Sequence, residues 1–340
     1  MLPLSKVYRK HGVSHGDKYS WVRRQEEEKE TAALPAISVE QFVHLAAGGK
    51  ATKEQARSCL YHLKNDLQVT PLSERHPDSE ARRIGERVLH WLWSQDMTVR
   101  DALSLDRIFV NCLCYFSVAE GRDNDIWNWL LHEMNNEKRD VDVPERHLWV
   151  VGIMDAQVEL SDSLVLPLKT LERALKDFSG KHLKWMIMAA LVSGSRMTKS
   201  TTLPPYDPAL STVLISANKI STHGTMRAHN EAMIMLYHPT EPNGKLFLDM
   251  APTYLQFGMK TSRKMTSRAF SINALRAAYI LRLQNDEKGA VWLEDAVESR
   301  CPQVWDVRQK WLRRFEADPK LEELRRQSTS RSSATFDHWK

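Results

Sequence analysis

Apolar residues along most of this chain recur every three or four positions, which is the spacing of one face of an α-helix. The segment from Val110 to Met134 shows the pattern best, with one apolar stripe before Gly121 and a second one after it. Glycine commonly ends a helix, and aspartate or asparagine commonly begins one. The pattern predicts two helices joined at "EGRD", with Gly121 as the stop and Asp123 or Asn124 as the next N-cap.

Paired apolar stripes of this kind recur between about residues 38 and 326, which we predict to be one helical-repeat domain. Strand and helix patterns do not alternate, and 13 glycines are few for the βα turns of a parallel sheet. One segment, "KLFLDMAPTYLQFGM", is ambiguous and can include a short strand. We therefore predict an all-α fold of about fourteen helices, arranged as a right-handed solenoid of αα-hairpins with irregular repeats.

The two ends of the chain lack this pattern, and we expect residues 1–36 and 327–340 to be disordered. Six Lys/Arg residues and a single acidic residue, Asp17, lie between Met1 and Arg24. A basic start that is poor in acidic residues is typical of an organelle transit peptide, and a plain basic tail is the alternative. We accordingly expect a mitochondrial protein, or otherwise a cytoplasmic or nuclear one.

The four cysteines have no metal-binding spacing, which favours reduced, buried thiols. No apolar run approaches the roughly 20 residues of a membrane span. Net charge is +5 and unevenly distributed: residues 250–285 contain six Lys/Arg and no Asp/Glu after Asp249. On a curved solenoid, such cations can line a concave surface and hold a phosphate backbone. The predicted phosphate contacts are Lys260, Arg263, Lys264, Arg268, Arg276, Lys219 and Arg227. A solvated basic face, or one that binds an acidic protein, is the alternative.

Three segments resemble the pentatricopeptide repeat, a family of two-helix units. They are "FVNCLCYFSVAEGRDNDIWNWLLHEM", "LSTVLISANKISTHGTMRAHNEAMIMLYHP" and "SINALRAAYILRLQNDEKGAVWLEDAV". The resemblance implies binding of single-stranded RNA, mostly in mitochondria and chloroplasts, with a polar residue of each first helix touching a base. By position, these residues are Asn111, Thr212 and Asn273. Tetratricopeptide-like protein scaffolds look nearly the same at this level.

The sequence carries no catalytic signature. "AAGGKATKE" lacks the first glycine and the Ser/Thr of a phosphate-binding loop, and "HEMNNE" lacks the second histidine of a zinc-protease helix. His223, His229 and Glu231 do not share a helical spacing that favours a metal site. We predict a non-enzymatic protein without cofactor or metal that binds RNA or a ribonucleoprotein in organellar gene expression. A protein-binding scaffold or assembly factor is the alternative, and Trp129, predicted to face outward, is its candidate contact.

Overall fold

A computed structural model describes residues 28–69, 83–135, 147–161, 163–178, 183–199, 205–222, 224–258 and 264–328. All regular secondary structure within these ranges is helical, which confirms the all-α prediction. The helices form two compact units, an N-terminal unit within residues 1–136 and a C-terminal unit within residues 137–340. The predicted helical domain, 38–326, therefore extends over both units. The predicted disordered ends fall mostly outside the described residues, although residues 28–32 form a short helix.

Among its described residues, the N-terminal unit contains six longer helices after residues 28–32. They are α1 (Val39–Ala47), α2 (Lys53–Val69), α3 (Ile84–Ser94), α4 (Met97–Ser104), α5 (Arg107–Ala119) and α6 (Asp123–Asn135). The central helix is α5, which contacts α2, α3, α4 and α6. Every residue from Ile108 to Ser117 is buried there except Asn111. An apolar helix surrounded on all sides in this way forms the core of the unit.

Short polar side chains fix where these helices begin. Asp106 accepts hydrogen bonds from the backbone N–H groups of Ile108 and Phe109, at 3.1 and 3.0 Å, and so caps α5. The other carboxylate oxygen of Asp106 pairs with Arg57 of α2 at 3.1 Å. One aspartate therefore both starts the central helix and attaches it to α2.

The contact between α3 and α5 depends on Gly85. A Cβ at this position would lie 2.9 Å from the Ser117 backbone nitrogen and 3.0 Å from the carbonyl carbon of Phe116. Glu120 then accepts hydrogen bonds from the N–H groups of Gly85 and Glu86, at 2.7 and 2.9 Å. Burial raises the pKa of the Glu120 carboxyl, although both hydrogen bonds favour its charged form.

The predicted turn between α5 and α6 is confirmed. Gly121 has a φ of +69°, which is the left-handed region that ends many helices. The predicted cap is wrong by one position, because α6 already begins at Asp123. Arg122 occupies the cap position, and its guanidinium pairs with Asp125 at 3.1 Å and with Glu86 of α3 at 2.5 Å. These ion pairs attach the start of α6 to α3.

Before residue 317, the described part of the C-terminal unit contains ten further α-helices. They are α7 (His147–Ser161), α8 (Val165–Asp177), α9 (Leu183–Thr198), α10 (Ala209–Ser221), α11 (Gly224–Leu236), α12 (Lys245–Thr253), α13 (Lys264–Leu283), α14 (Glu287–Arg300), α15 (Pro302–Trp305) and α16 (Arg308–Glu316). A 3₁₀ turn, Pro319–Leu321, and a helix over 322–328 follow. The helix α13 contacts α11, α12, α14, α15 and α16, and its buried residues form the centre of this core.

The ambiguous segment after residue 244 is helical, so the possible strand is not formed by its described residues. Phe247, Met250 and Ala251 are buried at helical spacing in α12. A π-helical turn, Tyr254–Gly258, continues directly from α12. Its first residue, Tyr254, stacks on the rings of His229 and Phe270.

In the described part of the chain, no single helix is long and apolar enough to cross a membrane. The helices α4 and α5 together have the length and apolar composition of a membrane span, but they are bent by 88° at their junction. Since α5 is almost entirely buried, its apolar character is explained by the protein core.

Candidate nucleic-acid interface

The predicted phosphate contacts fall into three groups. Lys260 and Arg263 lie outside the described residues, and Lys264 begins α13 with a side chain that is not described. Lys219 and Arg268 are exposed, and both are available to a ligand. Arg276 and Arg227 are described and are engaged in contacts within the protein.

Arg276 is fully buried and is not a phosphate contact. Its Nη1 donates to Asp318 at 2.6 Å, and its Nε donates to the Leu236 carbonyl at 3.2 Å. The guanidinium also lies over the rings of Tyr237 and Phe315, 4.4 and 5.8 Å from their centroids. Because a carboxylate, a carbonyl and two rings surround it, Arg276 is a structural residue of the core. This corrects the prediction that Arg276 contacts a phosphate.

Asp318 and Lys320 extend this buried cluster toward α9. The ammonium of Lys320 donates to the carbonyl of Thr198, the last residue of α9, at 2.7 Å. Burial lowers the pKa of Lys320 to about 8, against an opposing effect of the Asp318 carboxylate. Burial raises the pKa of Tyr237, beside Arg276, to about 12. The cluster therefore joins three helices to the C-terminal segment of the unit.

Arg227 is also a structural residue. Its guanidinium donates to the carbonyls of Lys219 and Thr222 at 2.8–3.1 Å, just where α10 ends. Helix C-termini carry unpaired carbonyls and a partial negative charge, which a cation satisfies. Arg227 is therefore a C-terminal cap of α10, and this prediction is also corrected.

The three predicted base contacts differ in their surroundings. Asn111 is half-buried within α5 of the N-terminal unit. Thr212 is exposed, and its hydroxyl donates to the Ala209 carbonyl at 2.5 Å. Asn273 is half-buried, and its Oδ1 accepts from the Tyr237 hydroxyl at 2.8 Å. The positions stay predictions, since nothing in the structure brings a base to any of them.

Aromatic rings cluster near Asn273 in the C-terminal unit. Tyr254 stacks on Phe270 at 4.7 Å with parallel ring planes, and on His229 at 5.6 Å. Burial, and the nearby charge of Lys199, lower the pKa of His229 to about 4, so this imidazole is neutral at pH 7. His223 lies outside the described residues, and no group of metal-binding side chains occurs among those described.

Trp129 in α6 is half-buried, so only part of this predicted partner contact is accessible. Trp127 is buried, as the apolar stripe predicts.

Exposed cations and half-buried indoles lie close together on α15 and α16, and we call residues 305–314 the Arg–Trp surface. Lys310, Arg313 and Arg314 are exposed. Arg313 and Arg314 follow Lys310 by three and four residues, so they lie on the same face of α16 as Lys310. Phe315 on the opposite face is buried and packs against Tyr279 of α13. The core therefore fixes the helix with its basic face outward.

Each end of the Arg–Trp surface contains an arginine stacked on a tryptophan. Arg308 lies 4.2 Å from the ring centroid of Trp305, and Arg314 lies 5.1 Å from that of Trp311. Both indoles are half-buried and pack against the apolar core, which holds them in place. None of the three outward cations forms an ion pair with a described residue. The surface thus combines unpaired positive charge with anchored aromatic rings.

No protein-family model, no curated protein and no solved structure is detectably similar to this chain. The likeness to the pentatricopeptide repeat accordingly rests on the three sequence segments alone.

Proposed function

We propose that this chain is a non-enzymatic helical protein that binds single-stranded RNA through the Arg–Trp surface. The observation that carries the proposal is the outward basic face of α16 with a tryptophan anchored at each end. Cations of this kind neutralise phosphates, and aromatic rings stack bases without regard to sequence. Both interactions are needed for single-stranded RNA, whereas an acidic protein needs only the first.

The spacing of the surface fits a short stretch of a strand. Lys310 and Arg314 are one helical turn apart, or about 6 Å, which is close to the distance between successive phosphates of a strand. The guanidinium of Arg308 or Arg314 presents a flat face on which a base can stack, with the indole beneath it. The exposed Lys219 and Arg268 are further candidates in the same unit.

The wider proposal includes the predicted right-handed solenoid, the organellar setting and the base contacts at Asn111, Thr212 and Asn273. These features are supported by the apolar repeats, the basic N-terminal segment and the three repeat-like segments. In such a protein, the Arg–Trp surface holds the strand by its backbone, and Thr212 and Asn273 of the same unit select among bases.

The test is binding of a fluorescent uridine 20-mer across a range of salt concentrations. We expect Lys310→Glu/Arg313→Glu/Arg314→Glu to weaken binding by at least about tenfold. The salt slope should fall by about 2, because each phosphate that the protein neutralises on a single strand contributes about 0.7 to it. The matched control is Lys169→Glu/Arg173→Glu/Lys176→Glu, which makes the same charge change along one face of α8. It should weaken binding much less.

Equal losses of affinity in the two triple variants would show that only net charge matters, and the Arg–Trp surface would then not be the site. Inorganic polyphosphate provides the comparison that isolates base stacking. If the wild-type chain prefers polyphosphate, or if it binds no RNA and captures an acidic protein through the same cations, the scaffold alternative replaces this proposal.

A further inference from the structure

We propose that α14 carries a second binding surface, which docks a lysine- or arginine-rich segment of a protein partner through an apolar anchor. Five of the exposed residues of α14 are Lys288, Val291, Trp292, Asp295 and Glu298. They recur every three or four positions, so they form one continuous face. The proposal goes beyond RNA binding and does not depend on it.

The anchor is apolar surface that the fold leaves uncovered. Val291 is 42% exposed and Trp292 is 40% exposed, although most of the large apolar side chains of α13 and α14 are buried. Together with Glu287, Lys288 and Asp295 they line a shallow depression of about 350 Å³. Tryptophan at the centre of a surface depression is typical of residues that dominate the binding energy of protein interfaces.

The charge of this face identifies the chemistry of the partner. Asp295 and Glu298 are exposed, and neither forms an ion pair with a described residue. Glu287 and Glu294 share one cation, Arg282, which pairs with Glu287 at 3.2 Å and with both oxygens of Glu294. Those pairs raise the pKa of the Arg282 guanidinium further. These two free carboxylates outnumber the one cation of the face, Lys288, so the face favours a partner that presents cations around an apolar side chain.

The face is also rigid, which favours binding. Ala290, Leu293 and Val297 on the other side of α14 are buried in the core formed with α13. Asp286 caps the helix by accepting from the N–H of Gly289 at 2.9 Å. A preformed helix face loses little conformational entropy when a partner helix or strand binds to it.

The experiment measures anisotropy of a labelled amphipathic peptide, in which leucines are flanked by lysines, against the full chain. We expect it to bind at least about tenfold tighter than a matched peptide with glutamates in place of the lysines. Trp292→Ala and Asp295→Lys/Glu298→Lys should each weaken binding about fivefold or more. Two controls should change it less than about twofold: Leu166→Ala removes another exposed apolar side chain, and Glu241→Lys/Asp249→Lys makes the same charge change elsewhere.

Equal binding of the two peptides, or unchanged affinity in Trp292→Ala, would overturn the docking surface. Sedimentation velocity tests whether a second copy of the chain binds the α14 face instead. If the wild type self-associates and Trp292→Ala abolishes this, the proposed partner is wrong. The affinity of Trp292→Ala for the uridine 20-mer should equal that of the wild type. The two proposals can therefore fail separately.

Discussion

Arg276 and Arg314 both lie against aromatic rings of the C-terminal unit, yet their surroundings are opposite. Arg276 is fully buried between Tyr237 and Phe315, with Asp318 as its counter-charge. Arg314, which directly precedes Phe315 in the chain, is exposed and rests on Trp311. Inside the core, the positive charge is neutralised by one carboxylate. On the surface, the same guanidinium–ring contact leaves the charge available to a ligand.

This difference predicts that removing a charged side chain lowers the free energy of unfolding most in the buried cluster and least on the Arg–Trp surface. The largest expected effect is at Asp318. We expect Asp318→Ala to lower the free energy of unfolding by about 3–5 kcal/mol, because it leaves the buried Arg276 guanidinium without a counter-charge. Urea denaturation followed by circular dichroism measures the change.

The double variant Arg276→Met/Asp318→Leu separates pairing from packing. It removes both charges and keeps apolar volume, so it should recover most of the stability that Asp318→Ala removes. If the double variant were as unstable as the single one, the ion pair would not be what distinguishes this cluster from the surface arginines.

The next effect is a pH dependence due to Lys320. A lysine in an unfolded chain has a pKa of 10.5, and that of Lys320 in the folded chain is about 8. Between these values the unfolded chain binds more protons, so stability rises with pH. From pH 8 to pH 10 we expect the wild type to gain about 2 kcal/mol relative to Lys320→Met. Tyr237 contributes equally to both proteins, so its own titration cancels from the difference.

Urea denaturation at several pH values between 7 and 10 gives this difference. A constant gap between wild type and Lys320→Met across that range would mean that the Lys320 ammonium is well solvated, and the contrast with the surface lysines would disappear.

Arg227 lies between the two extremes, because it is half-buried and binds carbonyl groups. We expect Arg227→Ala to lower the free energy of unfolding by about 1–2 kcal/mol, which is the usual value for hydrogen bonds from a charged donor. Arg227→Lys keeps the charge and loses the forked geometry, so it should recover only part of that free energy. Full recovery with lysine would assign the effect to the helix dipole instead.

The smallest effect is expected at the exposed cations. Lys310→Ala and Arg313→Ala should each change the free energy of unfolding by no more than about 0.5 kcal/mol, because neither side chain forms an ion pair with a described residue. If the free energy of unfolding fell by about 2 kcal/mol in either variant, that residue would stabilise the fold as Arg276 and Arg227 do. Their effect on RNA affinity would then have to be reinterpreted as partial unfolding.

The helices themselves were predictable from the sequence because their apolar faces are periodic. The stripe through Ile108, Phe109, Cys112 and Leu113 is buried as expected. Departures occur where a stripe reaches the end of a helix: Leu105, Ile220 and Val307 fit the pattern and are exposed. At these three helix ends no neighbouring helix among the described residues covers the apolar side chain, which periodicity cannot indicate.

The candidate site was harder to predict, because charge density along a chain does not show which charges are compensated. Residues 250–285 contain no carboxylate side chain, so Arg276 and Arg282 looked unpaired. Their partners, Asp318, Glu287 and Glu294, all follow that segment and meet it only in the folded chain. The arginine-rich helix near residue 311 was visible in the sequence. The apolar stripe also marks Phe315 as inward-facing, but it does not show that Lys310, Arg313 and Arg314 lack carboxylate partners among the described residues.

The distance along the chain between Arg276 and Asp318 also constrains how the protein is made. During synthesis, α13 leaves the ribosome 42 residues ahead of the carboxylate that neutralises its buried guanidinium. Before Asp318 is available, packing of this core would bury the Arg276 guanidinium in an apolar interior without a counter-charge. The C-terminal unit therefore completes its folding only after Asp318 has emerged, and premature termination before Asp318 should yield chains that chaperones and proteases recognise.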